Sequence, residues 1–484
     1  FTDLCHTTPE KTMRPILPLL LSTLFLPAIS PAAEPDRDVA SLAARPSPQW
    51  VTGGVMYQIQ PRAFTPEGTL KAATARLPGV AEIGVDIIYL CPIFVADDHP
   101  DPQSWSPRQR ASRTNNPRNP YRMKDYYHVD PEYGTDADLK AFVAETHRLG
   151  MRVLLDMVYF HCGPNAVFLQ EHPDFVKRDE QGKIATAAWG FPAINMANPE
   201  LREYLWKNME YWVEDFGVDG FRCDVSDGIP LDFWETARER LDRIRPGLCL
   251  LAEGNRRADQ LKAFDLNYSF EWFAAVRKVL DKGQPVPSIR TAWEAIAARR
   301  PRGARFIRYI DNHDIANDAY DNRIEKAWGS GCVDAMLVAL CTLDGVPMLY
   351  NGQEVADTAR HSIFGRMPID WAAGDTPAGK ARFALCQELC RVRHTERALT
   401  DGEVMWLDND QPDSVLSYLR RTSSEEILSV VNLSDRAIDV RVALPKQNRW
   451  SYEPLLAAEA EIKAADRGSL LSLGGFGYWV AKRK

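Results

Sequence analysis

Residues 218–253 read VDGFRCDVSDGIPLDFWETARERLDRIRPGLCLLAE. The apolar run Val218–Asp224 ends on a carboxylate, and so does the run Leu248–Glu253. Between them Leu231–Arg243 repeats apolar residues at helical spacing. A short strand, a helix and a second short strand make a β–α–β unit, whose two strands lie parallel with their C-terminal ends together. The same alternation extends in both directions. Val55–Gln60, Asp86–Cys91, Arg152–Val158, Phe264–Asn267, Ala304–Ile310 and Val346–Tyr350 read as further strands. Asp136–Leu149, Leu201–Phe216 and Gly331–Leu343 read as helices. Eight such units over residues 51–399 predict an α/β fold, a TIM (β/α)8 barrel rather than an open sheet.

Two connections are longer than a barrel needs: residues 95–120 after the second strand, and residues 161–198 after the third. The second is expected to be a small inserted domain, and long loops on this face of a barrel tend to serve function. From residue 400 to 484 the pattern changes to closely spaced strands (Glu403–Leu407, Ser414–Arg421, Glu426–Val431, Ile438–Ala443, Phe476–Ala481), predicting a C-terminal antiparallel β-sandwich.

The net charge of −8 disfavours a phosphate backbone as partner, so no nucleic acid is expected. A neutral sugar meets no such barrier, and aromatic residues at 10% include stacking faces for its rings, although most belong to the core. Residues 13–33, MRPILPLLLSTLFLPAISPAA, combine a basic start, an apolar run too short to span a bilayer and small residues at its end. They read as a cleaved export signal starting at Met13, with 34–50 as linker, giving an exported protein without a stable membrane span. The nine cysteines show no metal-ligand spacing and lie mostly in apolar runs, as buried free thiols do.

Asp156, Asp224 and Glu253 end predicted strands, and Asp314 follows one. In a barrel those ends converge on one mouth. Two carboxyls about 5 Å apart suffice to cleave a glycosidic bond with retention. Arg222, two residues before Asp224 on the same side of the strand, would hold that carboxyl ionised. His161 and His313 can hydrogen-bond sugar hydroxyls. Taken singly, such an acid is more often a helix cap, such an arginine an ion-pair partner, such a histidine a loop residue. The conjunction points to chemistry.

The segments DMVYFH (156–161), GFRCD (220–224), LAEG (251–254) and YIDNHD (309–314) resemble, in order and spacing, the four conserved regions of the α-amylase family, glycoside hydrolase family 13. YQIQPRAF (57–64), GVDIIYLCPIF (84–94), DYYHVDPEYGT (125–135) and MANPELREYL (196–205) fit it too. The resemblance implies Asp224 as nucleophile, Glu253 as acid/base and Asp314 as a third carboxylate gripping sugar hydroxyls. It implies Tyr121, His161, Arg222 and His313 around the cleavage subsite, with Asp156 orienting Arg222. The implied substrate is an α-glucan or maltooligosaccharide, with no cofactor. A glucosyl transferase or isomerase of the same family is the alternative, and a non-catalytic transporter-associated relative a remote one, since the three carboxylates are kept.

Two departures bear on metal. Phe160 stands where the family's starch-cleaving members have an asparagine calcium ligand, and VSDG follows Asp224 in place of a Lys-His pair. The first loop, TPEGTL (65–70), also lacks a calcium-loop pattern. A phenyl ring cannot ligate a hard cation, so no metal site is expected at these positions.

Overall fold

A computed structural model describes residues 38–445, 451–465 and 468–484; the expected signal segment, 13–33, lies outside them. Eight parallel strands close into a barrel: β1 Met56–Ile59, β2 Ile87–Leu90, β3 Arg152–Met157, β4 Gly220–Cys223, β5 Cys249–Ala252, β6 Leu266–Tyr268, β7 Phe306–Arg308 and β8 Val346–Tyr350. Each strand pairs with its sequence neighbours, and β1 with β8 completes the ring. The strand alternation sorts side chains as a barrel requires. Leu154, Leu251, Ile307 and Met348 share the interior cluster, while Val153, Leu155, Leu250 and Ala252 face the surrounding helices.

The strands are shorter than the sequence predicts. Asp224 and Glu253 stand one residue beyond β4 and β5, still held by Asp224 N to Met157 O (2.9 Å) and Glu253 N to Cys223 O (3.0 Å). Their backbones are fixed by the neighbouring strand while their side chains clear the barrel. Gly220 permits this fit: its φ is 152°, and a Cβ there would meet Cys249 O at 2.0 Å.

Helices cover the outside. The helix α1, Asp136–Arg148, starts on a capping box of Thr135 and Asp138, and α2, Pro199–Phe216, runs from Asn198 as N-cap to a left-handed Gly217. Next come α3, Leu231–Ile244, and α4, Ser330–Thr342, which is buried almost throughout. Residues 38–50, expected to be linker, lie against the barrel, with Ala44 N bonded to Arg302 O and Arg45 N to Gln260 O, each at 2.8 Å. Among the described residues no helix is long and apolar enough to cross a membrane.

The long connections are more ordered than expected of plain loops. Phe94–Ala96 pairs antiparallel with Met123–Val129, and the span between carries a short helix, Pro107–Ala111. The buried Arg122 guanidinium gathers this span, donating to Asp97 O, His99 O, Ser104 O and Pro117 O at 2.9–3.2 Å. The 161–198 insertion is a compact excursion laced by bridges His161–Ala193, Val176–Ile194 and Thr186–Pro192.

The C-terminal part is an antiparallel sheet, β9 Glu403–Trp406, β10 Val415–Arg421, β11 Glu426–Asn432, β12 Ile438–Val440, β13 Tyr452–Ala465 and β14 Gly468–Arg483. The sequence reading missed β13 and saw only the end of β14. These two form a long hairpin whose Ala, Glu and Ser residues give little apolar alternation. The sheet has two apolar faces. Tyr418, Ile427 and Val480 join the barrel's outer core, while Leu419, Leu428, Val440 and Leu471 enclose a separate core as a sandwich does. Arg420 donates to Thr342 O and Leu343 O, tying the sheet to α4.

Candidate active site

All four strand-end carboxylates point into one mouth, organised by Arg222. Its Nη1 bonds Asp156 Oδ1 (2.6 Å) and Asp224 Oδ1 (2.8 Å), and its Nη2 lies 2.8 Å from Glu253 Oε2. Its guanidinium carbon sits 5.8 Å from the Tyr89 ring centre and 5.6 Å from that of Tyr268. Glu253 Oε2 also accepts the Val225 N–H at 2.9 Å. Val225 has φ 42°, a left-handed conformation costly for a β-branched residue, and such strain gathers at active sites.

One positive charge thus faces three carboxylates in a place largely shielded from water. The Asp224 side chain is 7% exposed and that of Glu253 17%. Burial pushes the Asp224 carboxyl well above the usual range; Arg222 opposes this and the Glu253 charge adds to it. Burial likewise raises Glu253, against Arg222 and with Asp314. Arg222, expected to keep Asp224 ionised, divides its charge among three partners and works against burial. Burial and the neighbouring negative charges thus push both carboxyls toward the protonated form.

Asp314 differs. It lies in the first turn of the short helix His313–Ala319, which Asn312 caps, and its side chain is 36% exposed. Burial acts to raise it, but His313 and then Arg108 prevail and hold the carboxyl far below its ordinary range. Arg108 Nη1 reaches Asp314 Oδ1 at 2.9 Å, and its Nη2 reaches Asp318 Oδ1 at 2.8 Å. Both histidines are driven toward the neutral form by burial, His161 to about 4.

Tyr121 joins the two halves. Its ring lies parallel to His313, centroids 5.5 Å apart. The directions of the hydrogen bonds are mutually consistent. Gln58 Nε2 donates to His313 Nδ1 (2.8 Å), His313 Nε2–H to Tyr121 Oη (2.6 Å), and Tyr121 O–H to Asp156 Oδ2 (2.9 Å). His161 Nε2 donates to Tyr121 O at 2.6 Å, leaving its Nδ1 without a protein partner. All seven residues expected from sequence therefore lie in or beside one cluster. Gln58 was missed, although a glutamine inside the apolar run VMYQIQ was its signal; Arg108 gave none, being one of four arginines in residues 95–120.

Phe160 sits over Gly228, where a Cβ would come within 2.4 Å of the ring, and meets Trp189 edge-on at 6.3 Å. Carbon, not oxygen, fills that junction, so the residues present do not fit the family's calcium there. Among the described residues, Cys91, Asp156 and His313 are close enough to share an ion. Their ligand atoms are already engaged by Arg222, Tyr89, Tyr121 and Gln58, except the Cys91 thiol, which burial keeps protonated.

A pair of carboxyls held on one guanidinium at the C-terminal mouth of a parallel barrel, with a third beside them, is the arrangement of a glycosidase-type site. The α-amylase catalytic-domain model matches residues 36–183 and 178–388, and the chain belongs to the α-amylase family as one of its retaining glycoside hydrolases. A cyclomaltodextrinase of Geobacillus thermopakistaniensis is 24% identical over 473 residues, spanning 86% of this chain and 75% of its own. A Bacillus cyclomaltodextrinase is 26% identical over 445 residues, 81% of this chain and 74% of its own. The crystal structure of a maltogenic α-amylase from Thermotoga neapolitana superposes with a TM-score of 0.76 at 26% identity, covering 89% of this chain and 99% of that one.

Proposed function

We propose that the protein hydrolyses α-glucosidic bonds of maltooligosaccharides and related short α-glucans, with Asp224 as nucleophile and Glu253 as general acid/base. The arrangement that carries this reading is Arg222 holding both carboxylates on one guanidinium. With Glu253 protonated, that group donates to the glycosidic oxygen as the Asp224 carboxylate attacks the anomeric carbon. The C–O bond breaks, and a glycosyl ester forms on Asp224. Glu253, now ionised, takes a proton from water, which cleaves the ester and restores both groups. Asp314, ionised throughout, accepts hydroxyl protons of the distorted sugar, a contact that strengthens as positive charge develops on the ring. Tyr121 and His313 shape the floor of that subsite, and His161 Nδ1 is a free acceptor for a sugar hydroxyl. The cyclomaltodextrinases and maltogenic amylases among the relatives support short or cyclic glucans over granular starch. Product analysis with maltoheptaose and a cyclomaltodextrin tests this: maltose or glucose of α configuration is expected, and an inverted product would refute the double displacement.

Export rests on residues 13–33 alone. N-terminal sequencing of protein recovered outside the cytoplasm should begin near Ala33 or Glu34; an intact Met13 start on all molecules would exclude cleavage.

A further inference from the structure

Three connections lock together along one side of the mouth. Residues 97–122 come after β2, 309–323 after β7 and 351–370 after β8. Asn116 Nδ2 donates to Phe364 O at 3.0 Å, and Ile363 N to Asn317 Oδ1 at 3.1 Å. Arg62, just past β1, donates from Nη1 to Arg118 O at 3.2 Å and to Ile363 O at 2.5 Å. Buried Arg323 joins Asp311 Oδ2 (3.0 Å) to Ala359 O (2.9 Å). In the closed ring β7, β8, β1 and β2 are consecutive, and β1 lies half-way round from β5. The locked connections therefore stand as a wall across the mouth from Glu253.

Arg108 lines that wall beside the cleavage subsite. Its Nη1 holds Asp314 Oδ1, while Nε and Nη2 hold Oδ1 of Asp318, one turn further along the same helix, at 3.0 and 2.8 Å. Asp314 Oδ2 is 3.5 Å from His313 Nε2, on the side of the subsite floor, so the guanidinium lies behind the carboxylate as the sugar meets it. Three of its five N–H donors are used there, and the other two are left for a ligand. In a 1,4-linked glucan the leaving oxygen on C1 and the oxygen on C4 that carries the preceding unit lie at opposite ends of the ring. With the C1 oxygen at Glu253, the C4 oxygen points across the mouth to this wall.

We propose that Arg108 closes the far end of the cleavage subsite, so that the mouth takes one glucose unit beyond the scissile bond and the enzyme trims linear α-1,4-glucans from their non-reducing ends. A preceding sugar would need the space that the guanidinium and its helix fill, whereas a terminal 4-hydroxyl can accept one of the two remaining N–H bonds. This rests on the hydrolase reading with Glu253 as acid, and makes Arg108 a specificity-determining residue that selects free chain ends.

The test gives the full-length protein three substrates: maltoheptaose, maltoheptaose blocked at its non-reducing end by a 4,6-O-ethylidene group, and cyclomaltoheptaose, which has no end. Wild type should release glucose first from maltoheptaose and cut the other two at least about 100-fold more slowly. In Arg108→Ala, maltose should join glucose among the first products, and the rate on blocked relative to free maltoheptaose should rise about tenfold. Initial maltose from wild type, or comparable rates on the blocked or cyclic substrate, would overturn the proposal, and this comparison needs no variant to fold. An Arg108→Ala product pattern identical to wild type would overturn it too. Wild type inert on all three substrates would instead overturn the hydrolase reading itself.

Discussion

The mouth of the barrel has two sides built on opposite terms. On the side of β3, β4 and β5, Asp156, Arg222, Asp224 and Glu253 form one buried ionic network rooted in the strand ladder. On the side of the two long connections, Arg108 and Trp189 stand on a five-residue helix and a hairpin tip, with partly exposed side chains. The first side is rigid and holds charge in place for bond cleavage. The second consists of irregular connections, the kind of element on which substrate selectivity tends to be carried. Chemistry and selectivity are therefore divided between scaffold and loops, and substitutions on the two sides should fail differently.

The largest effect falls on the network. Arg222→Lys keeps one charge but cannot fork to three carboxylates. It should lower kcat on maltotriose by on the order of 10³-fold with little change in KM. A loss under tenfold would mean that the shared guanidinium is dispensable. Tyr121→Phe removes the link between His313 and Asp156 while keeping the ring. It should cost about 10- to 100-fold in kcat/KM; a change below twofold would leave stacking as its whole contribution.

Stability sharpens the contrast. The folded-state pKa of Asp224 is raised, so its contribution to stability is fully present below the unfolded carboxyl pKa near 4 and is lost as pH rises through the folded value. At pH 7 the buried carboxylate costs stability, and Asp224→Asn should raise Tm by about 2 °C while abolishing turnover. Calorimetry at pH 7 and pH 4 would show the gain at the higher pH only; a lower Tm at pH 7 would contradict it. Asp314 has the opposite sign, its folded pKa being depressed. Its stabilising ionisation is present at neutral pH and is lost only as strong acid titrates the folded carboxylate. Arg108→Gln removes one of the charges that hold Asp314 down, so the Asp314 carboxyl should titrate at higher pH, read by carbon-13 NMR of labelled aspartate; an unmoved titration would free Asp314 of any influence from Arg108.

The smallest expected effect is none. Phe160 fills the junction of β3 with the insertion by apolar contact, so excess EDTA should change neither activity nor Tm. A loss restored by calcium would show that oxygens elsewhere bind the ion.

What the sequence made legible follows the same division. Strand ends such as LLAE and GFRCD state both the local structure and the chemistry, because a barrel forces each strand's last residues into the mouth. The network around Arg222 was legible for that reason, but not its proton content, because the spacing of residues carries no measure of burial. Arg108 and Trp189 were not legible, since their positions depend on how two irregular connections fold back, and Pro-, Arg- and Gly-rich segments show no period. The β13–β14 hairpin was missed because its strands alternate weakly.

The division into an ionic network that carries bond cleavage and a selective rim is tested most directly by trapping the intermediate. Glu253→Gln can still form the ester from α-glucosyl fluoride, whose leaving group needs no proton, but lacks the base that directs water to it. Mass spectrometry of a peptide digest should show one glucosyl unit on the peptide carrying Asp224. A label on any other carboxylate, or turnover to a β-configured product with no adduct, would contradict the assignment.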